Sequence, residues 1–121
     1  MENCIFCKIA NNEIPSKTIY EDDIIKVYLD INPINVGHTL IIPKDHYTNL
    51  DDIDEKVLSH IMIISKKIKK LIDERLNPDG IKIVQNNGCL QDVKHYHLHI
   101  IPTYKDKKDL SLDEVYDILT K

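Results

Sequence analysis

The segment His95-Tyr96-His97-Leu98-His99-Ile100-Ile101 constrains this chain more than any other. Side chains on a β-strand alternate between its two faces, so a strand here projects three histidines from one face and Tyr96, Leu98 and Ile100 from the other. A half-exposed strand with merely solvated histidines is the plain alternative. Against it stands the versatility of imidazole, which near neutral pH serves as nucleophile, proton carrier or metal ligand. Three of the six histidines on one face concentrate that chemistry.

At 121 residues the chain is expected to form one domain, residues 1–121, with a core of its own. Apolar residues at 42% and charged residues at 30% suit a globular protein and argue against wholesale disorder. The 21 isoleucines, against one Phe and no Trp, predict an aliphatic core. A net charge of −4 with dispersed Lys and Arg gives no electrostatic case for binding a nucleic-acid polymer or an anionic membrane. The start, Met1-Glu2-Asn3-Cys4, lacks a basic region followed by an apolar one, and no apolar run is long enough to span a bilayer. A cytoplasmic location is the expectation.

Punctuation and periodicity divide the chain. Ser16–Tyr20 and Ile24–Leu29 read as strands around the turn Glu21-Asp22-Asp23, and Thr39–Ile42 as a third after Asn32-Pro33 and Gly37. From Ile53, the residues Val57, Ile61, Ile64, Ile68 and Leu71 recur at helical spacing, predicting a long helix that stops before Asn77-Pro78-Asp79-Gly80. Lys66, Lys67, Lys69 and Lys70 form its solvated face. Ile81–Gln85 and His95–Ile101 read as a hairpin around the polar loop Asn86–Lys94, with Pro102 ending the histidine strand. Ser111-Leu112-Asp113-Glu114 is a capping box opening a short amphipathic C-terminal helix through Leu112, Val115, Tyr116 and Leu119. The expected fold class is α+β: an antiparallel sheet of about five strands, the histidine strand central, with one helix packed over it.

Cys4, Cys7 and Cys89 are odd in number, so a disulfide framework is not expected. Cys4-x-x-Cys7 reads as two buried thiols, a redox pair or half of a tetrahedral metal site, and Cys89 as a plain thiol.

Taken together, Cys4-Ile5-Phe6-Cys7-Lys8-Ile9, Ile14-Pro15, Tyr20-Glu21-Asp22, Leu29-Asp30-Ile31, Gly37 through Lys44, Asn86-Asn87-Gly88 and His95 through Ile101 resemble, in order and over nearly the whole chain, the histidine triad (HIT) family, in particular its Hint-like branch. The resemblance implies that His97 attacks the α-phosphorus of a nucleoside phosphoramidate or phosphoanhydride, giving a nucleotidyl-histidine that water hydrolyses to a nucleoside monophosphate. A backbone carbonyl near His95 would orient it, and His99 would contact phosphate oxygen or assist the leaving group. His99 and Tyr96 stand where the nucleotidyl-transferase branch has glutamine and proline, which favours hydrolysis. Phe6, Tyr28 and Ile31 fall at positions that wall the base and ribose pocket, Asp30 where a carboxylate binds ribose hydroxyls, Asn86, Gln91 and Asp92 at the phosphate end, and His38 behind the catalytic histidine. Members with the N-terminal cysteine pair hold zinc, which puts Cys4, Cys7, His46 and His95 here as a structural Cys2His2 set. A purine nucleotide such as AMP and a homodimeric assembly are likewise implied. His60 has no role in this scheme.

Two departures bear on the phosphate end. The loop from Asn86 to Val93 is about two residues shorter than in many members, and Leu90 and Asp92 flank Gln91 where a glycine and a Ser or Thr are common. Asp92 sets a negative charge near the phosphate. The implied activity is phosphoramidate hydrolysis, with dinucleoside polyphosphate hydrolysis and non-catalytic nucleotide binding as alternatives.

Overall fold

The computed structural model describes residues 3–121; Met1 and Glu2, part of the N-terminal segment read above, lie outside it. The elements in chain order are α1 (Ile5–Ala10), β1 (Thr18–Glu21), β2 (Ile25–Leu29), β3 (Thr39–Pro43), α2 (Glu55–Leu76), β4 (Gly80–Gln85), β5 (Leu98–Thr103) and α3 (Leu112–Thr120). The five strands form one antiparallel sheet in the order β1-β2-β3-β5-β4. The histidine strand is thus one in from the edge, and β3 holds the centre.

Each face of the sheet carries an apolar layer. Ile25, Val27, Leu29, Ile41, Leu98 and Ile100 meet Ile61, Ile64, Ile68, Ile72 and Leu76 of α2 and Val115 and Leu119 of α3. Each such side chain, fully buried, contributes roughly 1.5–3 kcal/mol. Asp54 opens α2 by accepting from Lys56 N and Val57 N, and Asn77 closes it in the left-handed region at φ 52°. All four lysines of its outer face are exposed. The Ser111–Glu114 capping box of α3 forms as expected.

The opposite face is covered by a helix that the sequence reading did not place. Phe6, Ile9 and Ala10 of α1 pack on Tyr28, Leu40 and Ile42. The buried Lys26 donates from Nζ to Ile9 O at 2.8 Å and Asn12 Oδ1 at 2.6 Å, setting a cation at the C-terminal end of α1. One turn and a half gives too little periodicity to be read from sequence.

Two boundaries of the histidine strand also differ from expectation. Regular pairing starts at Leu98, not His95. Continuing the Ile41↔Leu98 register would set Tyr96 opposite Pro43, which has no N–H to give, and Tyr96 N donates instead to Tyr47 O at 2.7 Å. Pro102 lies inside β5, paired with Ile81, instead of ending it. The β3 ladder stops at Ile100, so the missing N–H of Pro102 faces no strand there, and its carbonyl accepts from Asn35 Nδ2 at 2.8 Å.

Gly37 delivers the chain into β3 at φ 88°. A Cβ there would stand 2.7 Å from Leu76 Cδ1 and 3.2 Å from Pro102 Cγ, so both the backbone angle and the space require glycine beside His38.

Candidate active site and metal cluster

Cys4 caps α1, its sulfur accepting from Cys7 N, and the first turn carries Cys7 to the same end. His46 comes from the loop after β3 and His95 from the segment leading into β5. The ligand atoms of all four lie within 4.8 Å of one another. His95 Nδ1 stands 3.4 Å from both sulfurs and 3.2 Å from His46 Nδ1, and His46 Nδ1 is 3.3 Å from Cys7 Sγ. Around a tetrahedral ion bonded at about 2.0–2.3 Å, ligand atoms stand roughly 3.3–3.8 Å apart, so the set is close to metal-ready.

The protonation pattern agrees. His95 Nε2 donates to Pro43 O at 2.9 Å, which leaves the lone pair on Nδ1, the atom facing the sulfurs. Burial pushes the His95 pKa down to about 4, helped by His46 and His97 and opposed by Pro43, which keeps the ring in its ligand form. Burial pushes the Cys7 thiol up to about 11, reinforced by Cys4; a cation between the sulfurs would relieve that penalty. Cys89 is exposed and stands outside this group.

On the α1 face, His97 Nδ1 donates to His95 O at 2.7 Å. Its Nε2 therefore carries the lone pair. The ring is buried, with the edge of Phe6 at 4.8 Å between centroids and His99 at 4.9 Å. His38 accepts from Ile34 N at Nδ1, 3.1 Å away, so its Nε2–H donates to His99 Nδ1 at 2.9 Å. That leaves His99 with a hydrogen on Nε2. Asp30, His38 and His99 also stand close enough to suggest a metal group, but the hydrogen between the two rings occupies both facing nitrogens. Burial lowers the pKa of His38, opposed by Asp30. Burial, His97 and His38 bring His99 down to about 4, against Asp30 and Asp92.

None of His38, His95, His97 and His99 lines the cleft of about 240 Å³ on this face; it meets His97 through Phe6 and Asp92, which both line it and both neighbour that ring. Phe6, Tyr28, Asp30, Ile31 and Asp92, all singled out from the sequence, line it. Ile31 is 72% exposed, which removes a core role for it. Asp30 Oδ1 accepts from Asn32 N at 2.9 Å, tying the carboxylate to the turn after β2. The Tyr28 hydroxyl is buried with no hydrogen-bond partner among the described residues, and burial beside Asp30 and Cys4 drives its pKa far upward. Asp92 Oδ1 stands 3.4 Å from His97 Nε2.

Gln91 and Asn86 do not line this cleft. Gln91 is a buried brace for the loop: Nε2 donates to Thr48 O at 2.7 Å and Oε1 accepts from Gly88 N at 3.2 Å. Asn86 is half-buried, its carbonyl accepting from Gln85 Nε2. The sequence reading gave no wall role to Ile9, Ile14 or Leu40, which also line the cleft. In the sequence all three stand only within motif segments, and the packing of α1 on Tyr28, Leu40 and Ile42, with Ile14 against the same cluster, gathers them. His60, assigned no role, binds Asp22 Oδ2 at 2.7 Å and ties α2 to the β1–β2 turn.

A five-stranded antiparallel sheet with helices on both faces, paired imidazoles on one of them and two cysteines and two histidines gathered beside it define a small α+β protein of histidine-rich strand type. The HIT domain family model matches residues 11–106, and the chain belongs to that family. It is 44% identical over 124 residues to an uncharacterized HIT-like protein of Methanocaldococcus jannaschii, covering 93% of this chain and 95% of that one. It is 41% identical over 109 residues to the adenosine 5'-monophosphoramidase of Saccharomyces cerevisiae, covering 88% of this chain and 66% of the yeast protein. Among solved structures, a zinc-bound histidine triad family protein of Mycobacterium smegmatis superposes with a TM-score of 0.90 at 33% identity, over 98% of this chain and 91% of that one.

Proposed function

We propose that this protein is a Hint-like nucleotide hydrolase that cleaves nucleoside phosphoramidates at the α-phosphorus, with His97 as nucleophile and a nucleoside monophosphate such as AMP as product. The observation that carries the reading is the His97 Nδ1–H donated to His95 O at 2.7 Å, which leaves Nε2 unprotonated beside Asp92, a residue of the cleft wall. The yeast relative, an adenosine 5'-monophosphoramidase, supports the substrate class.

In this reading Phe6, Tyr28 and Ile31 hold the base and ribose, and Asp30 accepts from ribose hydroxyls with the oxygen not engaged by Asn32. His97 Nε2 forms a bond to phosphorus while the P–N bond breaks, its electron pair leaving with a nitrogen that reacts in its protonated form and departs as the amine. The hydrogen on His99 Nε2 is donated to a phosphate oxygen, and the His95 carbonyl stabilises the charge that grows on the His97 ring. Water then bonds to phosphorus, the P–Nε2 pair returns to the imidazole, and the water proton passes to solvent. Asn86 and Gln91 act at the phosphate end, Gln91 by holding the loop.

Cys4, Cys7, His46 and His95 would hold a structural zinc ion, which when bound fixes the start of α1 and the segment carrying His97. The zinc-bound mycobacterial relative supports that assignment. The reading also includes a homodimer acting in the cytoplasm; no helix of the described residues is long and apolar enough to cross a membrane.

Dinucleoside polyphosphate hydrolysis is the second reading, and the charge around the cleft disfavours it. The residues lining it include two carboxylates, Asp30 and Asp92, and no Lys or Arg, and the adjoining cleft that shares Asp92 sets only Lys94 against a longer phosphate chain. The deciding experiment is AMP release from adenosine 5'-phosphoramidate and from diadenosine tetraphosphate by wild type and His97→Ala. Phosphoramidate turnover that falls at least about 1,000-fold in the variant is expected. Faster dinucleotide turnover would install the second reading, and turnover of neither would leave nucleotide binding without catalysis.

A further inference from the structure

Resting on that reading, we propose that Asp92 selects the leaving group: its carboxylate favours substrates with a positively charged leaving nitrogen and rejects those with an anionic, phosphate-type leaving group. Asp92 Oδ1 stands 3.4 Å in front of His97 Nε2. A phosphorus poised for attack occupies that same place, about 3–3.5 Å from the nucleophile. Every substrate therefore has to displace this carboxylate, and the phosphate it admits carries charge of the same sign.

The side chain is free to make way, since it is 83% exposed. Where it goes is set by the surface on either side. Asp92 lines the cleft of about 240 Å³ assigned above to the nucleoside, and it also lines a second cleft of about 520 Å³ whose wall includes Cys4, His46, Thr48, Val93 and Lys94. It is a wall shared by the two, so a phosphate bound at His97 with its nucleoside in the first leaves the carboxylate flanking the group that departs toward the second.

Among the described residues no Lys or Arg pairs directly with this carboxylate. The basic side chain within 4 Å of the Asp92 carboxylate among the described residues is His97, whose Nε2 carries no hydrogen and so no charge. Lys94, two residues on, gives its Nζ to Gly88 O at 2.6 Å. A phosphoramidate reacts with its nitrogen protonated, so its leaving atom brings the missing positive charge; a phosphoanhydride brings more negative charge instead. Like charges set against each other at a binding site are what suppress a wrong partner.

The test compares wild type with Asp92→Asn, which keeps the size of an exposed side chain and removes its charge. Three quantities are measured: kcat/KM on adenosine 5'-phosphoramidate, kcat/KM on diadenosine tetraphosphate, and the Kd of AMP by calorimetry. The variant is expected to lose at least about tenfold on the phosphoramidate, to gain on the dinucleotide, and to bind the anionic AMP about tenfold more tightly. Equal changes on both substrates, or AMP binding that is unchanged or weaker, would overturn the assignment, since a loosened loop weakens everything together. The AMP measurement reads Asp92 even where neither substrate turns over, an outcome that would instead sink the hydrolase reading.

Discussion

His38 Nε2 donates to His99 Nδ1 at 2.9 Å, and because Ile34 N already donates to His38 Nδ1, the direction of that bond is determined by the backbone. The relay makes His99 a donor at Nε2, the nitrogen left for a ligand. Burial, with His97 and His38 as neighbours, holds His99 down to about 4, so the neutral relay persists across the physiological range.

The proposed function accordingly makes His38 a positioning residue. In His38→Ala the ¹⁵N shifts of the His99 ring are expected to move from the Nε2–H form toward a mixture of tautomers, with kcat falling about 10- to 100-fold and KM changing little. An unaltered His99 tautomer in the variant would show that the relay does not set it.

Loss of a ligand from the proposed zinc site should act on stability before chemistry. Cys7→Ser removes one of four converging ligands, and its Tm is expected to fall by about 10 °C or more, together with loss of bound metal by mass spectrometry. Chelator treatment of the wild type should reproduce the shift. A Cys7→Ser protein that still binds one metal ion per chain would exclude this ligand set.

Asp22 gives the fold a pH dependence of its own. Burial works against its ionisation, but hydrogen bonds from His60 Nε2, Ile25 N, Ile24 N and the Tyr20 hydroxyl outweigh that and hold the carboxyl well below its ordinary value of 3.8. A carboxyl depressed in the fold and ordinary in the unfolded chain contributes stability above about pH 4, lost progressively as the pH drops below that value. Asp22→Asn is expected to lower stability at pH 7 by about 1–3 kcal/mol and to flatten the decline between about pH 4 and pH 2. Urea unfolding at several pH values measures both; parallel curves for variant and wild type would refute the role.

Local pattern and motif made much of this protein legible. Alternation at His95–Ile101 named the strand, the spacing of Ile61, Ile64 and Ile68 named the long helix, and Ser111 with Glu114 named the start of the last one, because each signal lies within a few residues of chain. Resemblance gathered Cys4, Cys7, His46 and His95, and these four do converge. What stayed hidden depends on contacts between distant segments. Residues Ile5–Ala10 are too short to declare a helix alone and are helical because Phe6 and Ile9 bury against β2 and β3, with Lys26 binding the last turn. The end of regular pairing at Leu98 follows from Pro43, and the tolerance of Pro102 follows from where β3 stops; neither is a property of the histidine segment itself. The aim of Asp92 at His97, likewise, is a meeting across a loop. The sequence by itself determined the histidine face, the apolar stripes and the ligand types, since covalent spacing and side-chain chemistry are enough for those. Tertiary structure alone decided which nitrogen of His38, His95, His97 and His99 carries the hydrogen, since that choice belongs to the carbonyls of Pro43 and His95 and the amide of Ile34, brought to the rings only by folding.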